Sequence, residues 1–179
     1  KLTSIDKANI LESSQLWREV VTEIGLSFPS VLIEHMYVDN AAMKIINNPH
    51  EFDTILTTNI FGDILSDLSA TLLGSIGLLA AASIGSGVNL YEPSHGTAPY
   101  MVGRDIANPL ASILSVGMMF RYSFNKPEID EFLQRVVEET LNSYRTKDVM
   151  EEGKELVGCS GMGDQILKVI EKMDKTELL

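Results

Sequence analysis

Apolar residues recur along this chain in two rhythms, one suited to helices and one to strands, with Gly and Pro marking the breaks. Leu16, Val20 and Ile24 fall at helical spacing and Gly25 sits where a C-terminal cap belongs, so Ile10 to Ile24 is predicted helical. Val31 to Met36 reads as a strand. Asp39 to Asn47 reads as a helix that stops ahead of Pro49, because the residue before a proline avoids helical backbone. Phe52 to Thr57 is rich in β-formers and is the next predicted strand. Ile60 to Leu73 follows as a helix, with Asn59 as its N-cap and Gly74 just past its end. Val88 to Tyr91 is a further strand, followed by a loop that carries Pro93, Gly96 and Pro99. Asn108 and Pro109 open a long helix to about Phe124, with proline at the favoured first position. Glu128 to Tyr144 and Asp164 to Met173 are the last two predicted helices. Strands alternating with helices predict an α/β fold with a substantially parallel sheet.

Charge refines this picture. From Leu68 to Tyr91 there is no charged residue, a stretch long enough on paper to span a bilayer. Gly74, Gly77, Gly85 and Gly87 divide it and Ser and Thr recur through it, so a buried connection between packed elements is expected instead. The whole chain has 179 residues, 45% of them apolar and 22% charged, which is ordinary for a soluble globular protein about one domain long. Its net charge is −11 with no basic block, which argues against nucleic acid and against an anionic membrane surface as partners. An anionic substrate would therefore need a local cluster of positive charge or a metal. Cys159 is the only cysteine, so no disulfide framework exists within the chain, which fits a reducing cytoplasm. Beside Gly158 it reads as an incidental small residue. Lys1 to Asp6 lacks the apolar stretch of a signal peptide. The chain starts without Met and runs at once into a dense motif, so a piece of a longer protein is expected.

The sharpest chemistry lies in the helix from Asn59 to Asp67. At about 100° per residue, Phe61, Leu65, Leu68 and Leu72 share one narrow face, while Asp63, Asp67, Ala70 and Gly74 fall opposite. Two carboxylates are thus stacked one turn apart. Like charges at this spacing repel, and a divalent cation between them removes the repulsion. Mg²⁺ or Mn²⁺ prefers oxygen donors and leaves positions for water or substrate. On spacing alone, a solvated acidic face, with Asp63 favoured near the helix N-terminus, is the ordinary alternative and stays open.

Four segments in series carry a resemblance. Ser4 to Glu12 with Leu16-Trp17-Arg18, then Glu34 to Met43, then Asn59 to Asp67, then Glu92 to Pro99 resemble the isocitrate/isopropylmalate dehydrogenase family, in order and at family-like spacing as far as about Phe124. Related isocitrate, homoisocitrate and tartrate/malate dehydrogenases share the Asp6, Lys7 and Asn9 pattern, the aspartates and the loop around His95. The run Ala8 to Glu12 and the Leu16-Trp17-Arg18 element look more like the isopropylmalate branch. The resemblance implies metal-dependent, NAD-linked oxidative decarboxylation of 3-isopropylmalate, a step of leucine biosynthesis, by a homodimer with shared active sites. It implies that Asp63 and Asp67 bind the metal in one subunit and Asp39 completes the site from the partner subunit. Lys7, also reaching across, would transfer a proton, with Asn9 lining the nicotinamide and substrate region. His95, Gly96, Thr97 and Ala98 would form the loop under the adenosine part of the cofactor, and Asn108 would hydrogen-bond the adenine. Taken alone, Lys7 is an ordinary surface lysine and His95 an ordinary loop histidine. No Gly-rich fingerprint of the usual dinucleotide fold is present, which fits a different kind of cofactor loop.

The resemblance also has departures. NAD-using members carry an aspartate at the position of Tyr100, and a phenol cannot offer the two acceptor oxygens of a carboxylate. NADP-using isocitrate relatives place Lys then Tyr there, whereas this chain has Tyr100 then Met101. NAD is retained as the expected cofactor. The resemblance begins about halfway along the family's chain, so the expected fold is α/β and isocitrate/isopropylmalate dehydrogenase-like but partial, its N-terminal half absent. The substrate-holding arginines and a catalytic tyrosine would lie in that half, and the piece alone is expected to be inactive. Residues 1–74 would belong to the dimer-forming, metal-site domain and 75–179 to the cofactor-side domain. His35 and His50 carry no implied role, and His35 is expected in a core or interface. The loop from Gly158 to Asp164 lacks the ending of a phosphate-binding loop and is expected to lead into the last helix. A competing reading is a non-catalytic dimerisation piece that pairs through Asp39 to Asn47 and Ile60 to Leu73.

Overall fold

The computed structural model describes residues 1–177, and the chain folds as two compact units, Lys1–Leu72 and Leu73–Leu179. The last two positions of the expected 75–179 segment lie outside the described residues.

The first unit alternates strands and helices: β1 (Leu2–Asp6), α1 (Glu12–Gly25), β2 (Ile33–Tyr37), α2 (Val38–Asn47), β3 (Thr54–Leu56) and α3 (Asn59–Ala70). The strands form one parallel sheet in the order β2-β1-β3. Strand β1 lies at the centre, so its residues face packing on both sides. Period-two alternation sends Ile5 into a core with Met36, Ala41, Ile45 and Leu65. It sends Ser4 and Asp6 to the opposite face, where Trp17 Nε1 donates to Ser4 Oγ at 3.1 Å and Arg18 reaches Asp6. Helix α1 therefore docks partly through hydrogen bonds, and its apolar positions Leu16, Val20 and Ile24 remain exposed.

The second unit is built differently. Strands β4 (Ala80–Ser83) and β5 (Leu90–Pro93) pair antiparallel, a departure from the parallel arrangement the alternation predicts. Helix α4 (Leu110–Ser123) packs on both strands and on α5 (Pro127–Leu141), and α5 packs in turn on α6 (Cys159–Glu177). Leu110, Val136, Val137, Met162 and Ile166 are the core. Between α5 and α6 lie the two-residue parallel strands β6 (Tyr144–Arg145) and β7 (Glu155–Leu156). Gly117 lets α4 approach α5: a Cβ there would sit 2.5 Å from Oδ1 of the buried Asp130, which pairs with Arg121.

Several sequence expectations shift. Thr58, not Asn59, occupies the N-cap of α3, and no side chain caps it. Residues Thr71–Leu73 tighten into a 3-10 turn, so Gly74 stands beyond the helix with φ 89 rather than on the aspartate face. Ala70, expected beside the aspartates, is buried. Pro109 is the N-cap of α4, one place earlier than its favoured position. The uncharged stretch from Leu68 to Tyr91 is not a buried connection: Leu72, Leu73 and Ile84 are exposed and Val88 is 99% exposed. It holds the end of α3, short turns, strand β4 and the start of β5, and none of the helices among the described residues is long and apolar enough to cross a membrane.

Candidate functional site

Parallel strands deliver their C-terminal ends to one edge of a sheet, the place where open α/β folds put ligands. The register pairs Asp6 with Tyr37, so the chain leaves β1 and β2 side by side. Lys7 is the next residue after β1, and Asp39 lies in the first turn of α2. Their side chains meet, with Lys7 Nζ 2.6 Å from Asp39 Oδ1. That hydrogen bond, helped by the helix backbone, holds the Asp39 carboxyl below its usual range. Lys7 is partly shielded and Asp39 is largely open to solvent.

Beneath Lys7, the Asp6 carboxylate is only 1% exposed. It accepts two hydrogen bonds from Arg18, at 2.8 and 2.9 Å, and one from the Ala8 backbone at 2.9 Å. The Arg18 guanidinium also lies 4.9 Å over the Tyr37 ring, and bonding to Asp6 raises its pKa further. This buried fork fixes the backbone on both sides of Lys7. Neither residue has a role that the sequence alone suggests, because the pairing spans twelve residues. Asn9 is exposed in the turn that follows, closed by Ile10 and Leu11 N–H groups on the Lys7 carbonyl.

Asp63 and Asp67 stand exposed on α3, whose other side packs on α2. Among the described residues no three His, Cys, Asp or Glu side chains gather within the chain, so Asp39 is not brought to Asp63 and Asp67 in one protomer. The exposed face of α3 also carries Ile60 and Ile64, and α2 exposes Met43 and Ile46. The donor set suits a hard divalent cation, since all three side chains offer carboxylate oxygens. His35 bonds Thr22 Oγ1 through Nε2 at 3.0 Å and buries Nδ1 without a partner. Burial and then the Arg18 charge lower its pKa, which favours the neutral ring, and the residue is half-buried on β2.

The second unit gathers the other predicted residues. His95, Gly96, Thr97, Ala98 and Asn108 line one pocket of about 490 Å³. The loop bends at Ala98, whose φ of 41 is unusual for a residue with a side chain, and Pro99 opens a 3-10 turn directly after it. His95 Nδ1 lies 3.0 Å from the Gly96 carbonyl oxygen, within hydrogen-bonding distance. Asn108 is almost fully buried: its Oδ1 accepts the Leu110 N–H at 3.0 Å, capping α4, and its Nδ2 donates to Asp148 at 3.0 Å. One amide hydrogen of Asn108 thus remains for a ligand, along with its main chain. Tyr100 and Met101 line the same pocket.

Two further residues of this unit carried no sequence signal. Asp148 joins the pocket lining from the turn Lys147–Val149. Burial pushes its carboxyl up, but hydrogen bonds from Ser75, Thr146 and Asn108 outweigh this and hold it below the usual range. Asp105, with φ 52, accepts the Ser160 N–H at 2.7 Å and Ser160 Oγ at 2.9 Å, tying the end of the pocket loop to the start of α6. Helix α6 therefore begins at Cys159, and the segment from Gly158 to Asp164 is not a loop leading to it. Burial and then the Asp105 charge push the Cys159 thiol up, which suits an unreactive cysteine.

A charged edge in one unit and a loop-lined pocket in the other define an α/β protein whose candidate chemistry is divided between two compact units. The family model for isocitrate/isopropylmalate dehydrogenase matches residues 1–166, and the chain belongs to that family. It is 50% identical over 175 residues to 3-isopropylmalate dehydrogenase of Synechocystis sp., covering 97% of this chain and 48% of that protein. The corresponding protein of Synechococcus sp. is 53% identical, with 95% and 45% covered, and that of Aquifex aeolicus 50% identical, with 97% and 48% covered. Among solved structures, isocitrate dehydrogenase from Methylococcus capsulatus superposes with a TM-score of 0.84 at 35% identity, covering 94% of this chain and 50% of that one. The chain spans about half the length of the curated relatives it matches.

Proposed function

We propose that the polypeptide carrying this chain oxidises and decarboxylates 3-isopropylmalate as a cytoplasmic homodimer in leucine biosynthesis, using NAD and Mg²⁺ or Mn²⁺. The observation that carries the proposal is the meeting of Lys7 and Asp39 at the strand ends, 2.6 Å apart in one protomer. A proton-transfer amine and a metal-binding carboxylate held together are delivered to a neighbour as one unit. The exposed Ile60 and Ile64 beside Asp63 and Asp67 support the same arrangement. A partner seated on that apolar surface desolvates both aspartates, a cost that a bound cation offsets. Relatives named 3-isopropylmalate dehydrogenase at about half identity favour that substrate over isocitrate or malate.

In this reading Asp63 and Asp67 of one protomer, with Asp39 of the other, hold the cation, which supplies polarisation of the substrate oxygens when bound. Lys7 holds or moves the proton at the reacting carbon and hydroxyl through Nζ. The buried Asp6–Arg18 fork keeps the Lys7 backbone in place, and Asn9 faces the reacting region from the same turn. The unit 2 pocket takes the adenosine end of the dinucleotide against His95 to Ala98 and Asn108. The test is a steady-state assay of the whole polypeptide with 3-isopropylmalate, isocitrate and malate, each with NAD and with NADP. Turnover is expected with 3-isopropylmalate and NAD and to depend on added Mg²⁺ or Mn²⁺. Faster turnover of isocitrate or malate would reassign the substrate.

A further inference from the structure

We infer that Tyr37 is a positioning residue for the proton-transfer amine, its ring serving as a platform that holds both the Lys7 ammonium and the Arg18 guanidinium. The inference rests on the reading of Lys7 as the residue that moves the proton. Tyr37 ends β2 and stands at the N-cap of α2 with extended backbone. Its neighbour Met36 is buried in the core, so period-two alternation sends the Tyr37 side chain to the other face of the sheet. Asp6 is its register partner on β1 and points to that same face. Helix α1 brings Arg18 there, its guanidinium carbon 4.9 Å from the ring centroid, and Lys7 Nζ lies over the same ring at 6.0 Å.

Two ion pairs, Asp6 with Arg18 and Asp39 with Lys7, thus stand side by side with one aromatic group between their cations. The cations repel each other, and the negative face of the ring attracts both. Arg18 is the fixed member, since hydrogen bonds at 2.8 and 2.9 Å bind it to a carboxylate that is 1% exposed. Lys7 is the mobile member, because its amine ends a long flexible stem and its carboxylate partner is 65% exposed. Where the Asp39 oxygens also hold a cation, as in the function proposed above, their grip on the amine weakens. The ring contact carries no such conflict. At 6.0 Å the amine lies at the outer reach of a cation–ring contact, so the effect is one of placement and modest in size. The Asp6–Arg18 fork therefore acts on Lys7 twice, through the backbone and through the ring that Arg18 holds still.

The experiment is steady-state kinetics of the whole polypeptide with 3-isopropylmalate and NAD, comparing wild type, Tyr37→Phe, Tyr37→Leu, Lys7→Met and the double variant Lys7→Met with Tyr37→Leu. Tyr37→Leu is expected to lower kcat about three- to tenfold and to leave the KM for 3-isopropylmalate unchanged. Tyr37→Phe keeps the ring and is expected to restore kcat to within about twofold of wild type. In the Lys7→Met background Tyr37→Leu is expected to cost nothing more, because the ring then has no amine to place. A spectroscopic readout is independent of turnover: reductive methylation with ¹³C-formaldehyde labels lysine amines and keeps their charge. The Lys7 methyl signal, assigned by its absence in Lys7→Met, is expected to move downfield in Tyr37→Leu as the ring current is lost, and to stay in place in Tyr37→Phe. Equal loss of kcat in Tyr37→Phe and Tyr37→Leu would assign the effect to the hydroxyl and overturn the inference. So would an unchanged kcat in Tyr37→Leu, a full effect of that change in the Lys7→Met background, or a Lys7 signal that it does not move. If Tyr37→Leu does not fold, pentafluorophenylalanine at position 37 decides, since it keeps a ring of similar size and reverses the charge of its face. A kcat equal to that of Tyr37→Phe then sinks the idea. Wild-type kcat in Lys7→Met would instead strike down the proton-transfer reading on which the inference rests.

Discussion

The two units solve the problem of positioning polar groups in opposite ways. In the first, a parallel sheet brings strand ends together, and the groups of interest stand open: Asp39, Asp63 and Asp67 are exposed, and only Lys7 ties one of them down. In the second, loops fold back on a helical core, and His95, Ala98, Asn108 and Asp148 close around a cavity from one chain. The contrast assigns a direction to each unit. Exposed carboxylates such as Asp63 and Asp67 gain from a bound cation, whereas a pocket whose amide and carboxylate are already paired is preorganised for a ligand. Chemistry is expected to depend on the edge and dinucleotide affinity on the pocket.

The sharpest way to break that division is Lys7→Met in the whole polypeptide. General acid–base groups contribute about 10²–10⁴-fold to rate, so kcat is expected to fall by that much while the Kd for NAD stays put. Steady-state kinetics together with a binding titration read both quantities. A variant that loses NAD affinity but keeps kcat would reverse the roles of the two units.

Much of this division was legible in the sequence, and the failures have physical causes. The α3 aspartates and the His95 to Ala98 loop are contiguous, so local pattern finds them. Strand β1 carries no strand pattern in the sequence, because only Ile5 among its central residues is strongly apolar. It becomes a strand through parallel neighbours about thirty and fifty residues away, with Leu2 aligned on Ile33 and on Thr54. Strand β4 is three alanines and a serine, without a β-former among them. Asp6–Arg18 and Asp148–Asn108 are ion-pair and hydrogen-bond partners that only the fold makes adjacent. The glycines at 158, 161 and 163 argued against helix, yet Met162 and Ile166 are buried in the core and Asp105 caps the start. Packing and a remote cap outweigh a local propensity of about 1 kcal/mol per glycine.

A smaller effect sharpens the comparison from the pocket side. Gly77→Ala places a Cβ 2.8 Å from Asn108 Cβ, inside ordinary contact, and forces either the turn or Asn108 to move. Overpacking of this kind costs about 1–3 kcal/mol. Because the displaced groups hold the pocket wall, the expected result is a Kd for NAD raised about tenfold, with kcat at saturating NAD near wild type. A loss of kcat with the Kd unchanged would show that the pocket is not independent of the edge.

The smallest effect concerns the hook that holds the pocket loop to α6. Asp105 has its pKa lowered first by the Ser160 N–H and then by the Ser160 hydroxyl, and an anion at a helix N-terminus gains from the partial positive charge there. A carboxyl whose folded value is depressed stabilises the fold fully above its unfolded value, about 3.9, and the contribution disappears as pH falls through the lower folded value. The urea midpoint of Asp105→Ala is therefore expected to lie below wild type near neutral pH, and the gap to close progressively as the solution is acidified below about pH 4. NAD affinity at neutral pH is expected to drop slightly alongside, because Met101, Val102 and Ile106 line the pocket just ahead of and behind this anchor. Lys7-dependent turnover at saturating NAD is expected to be indifferent to it. A midpoint gap that stays constant down to acid pH would mean that the neutral oxygen caps as well as the anion, and that charge at Asp105 does not hold the loop.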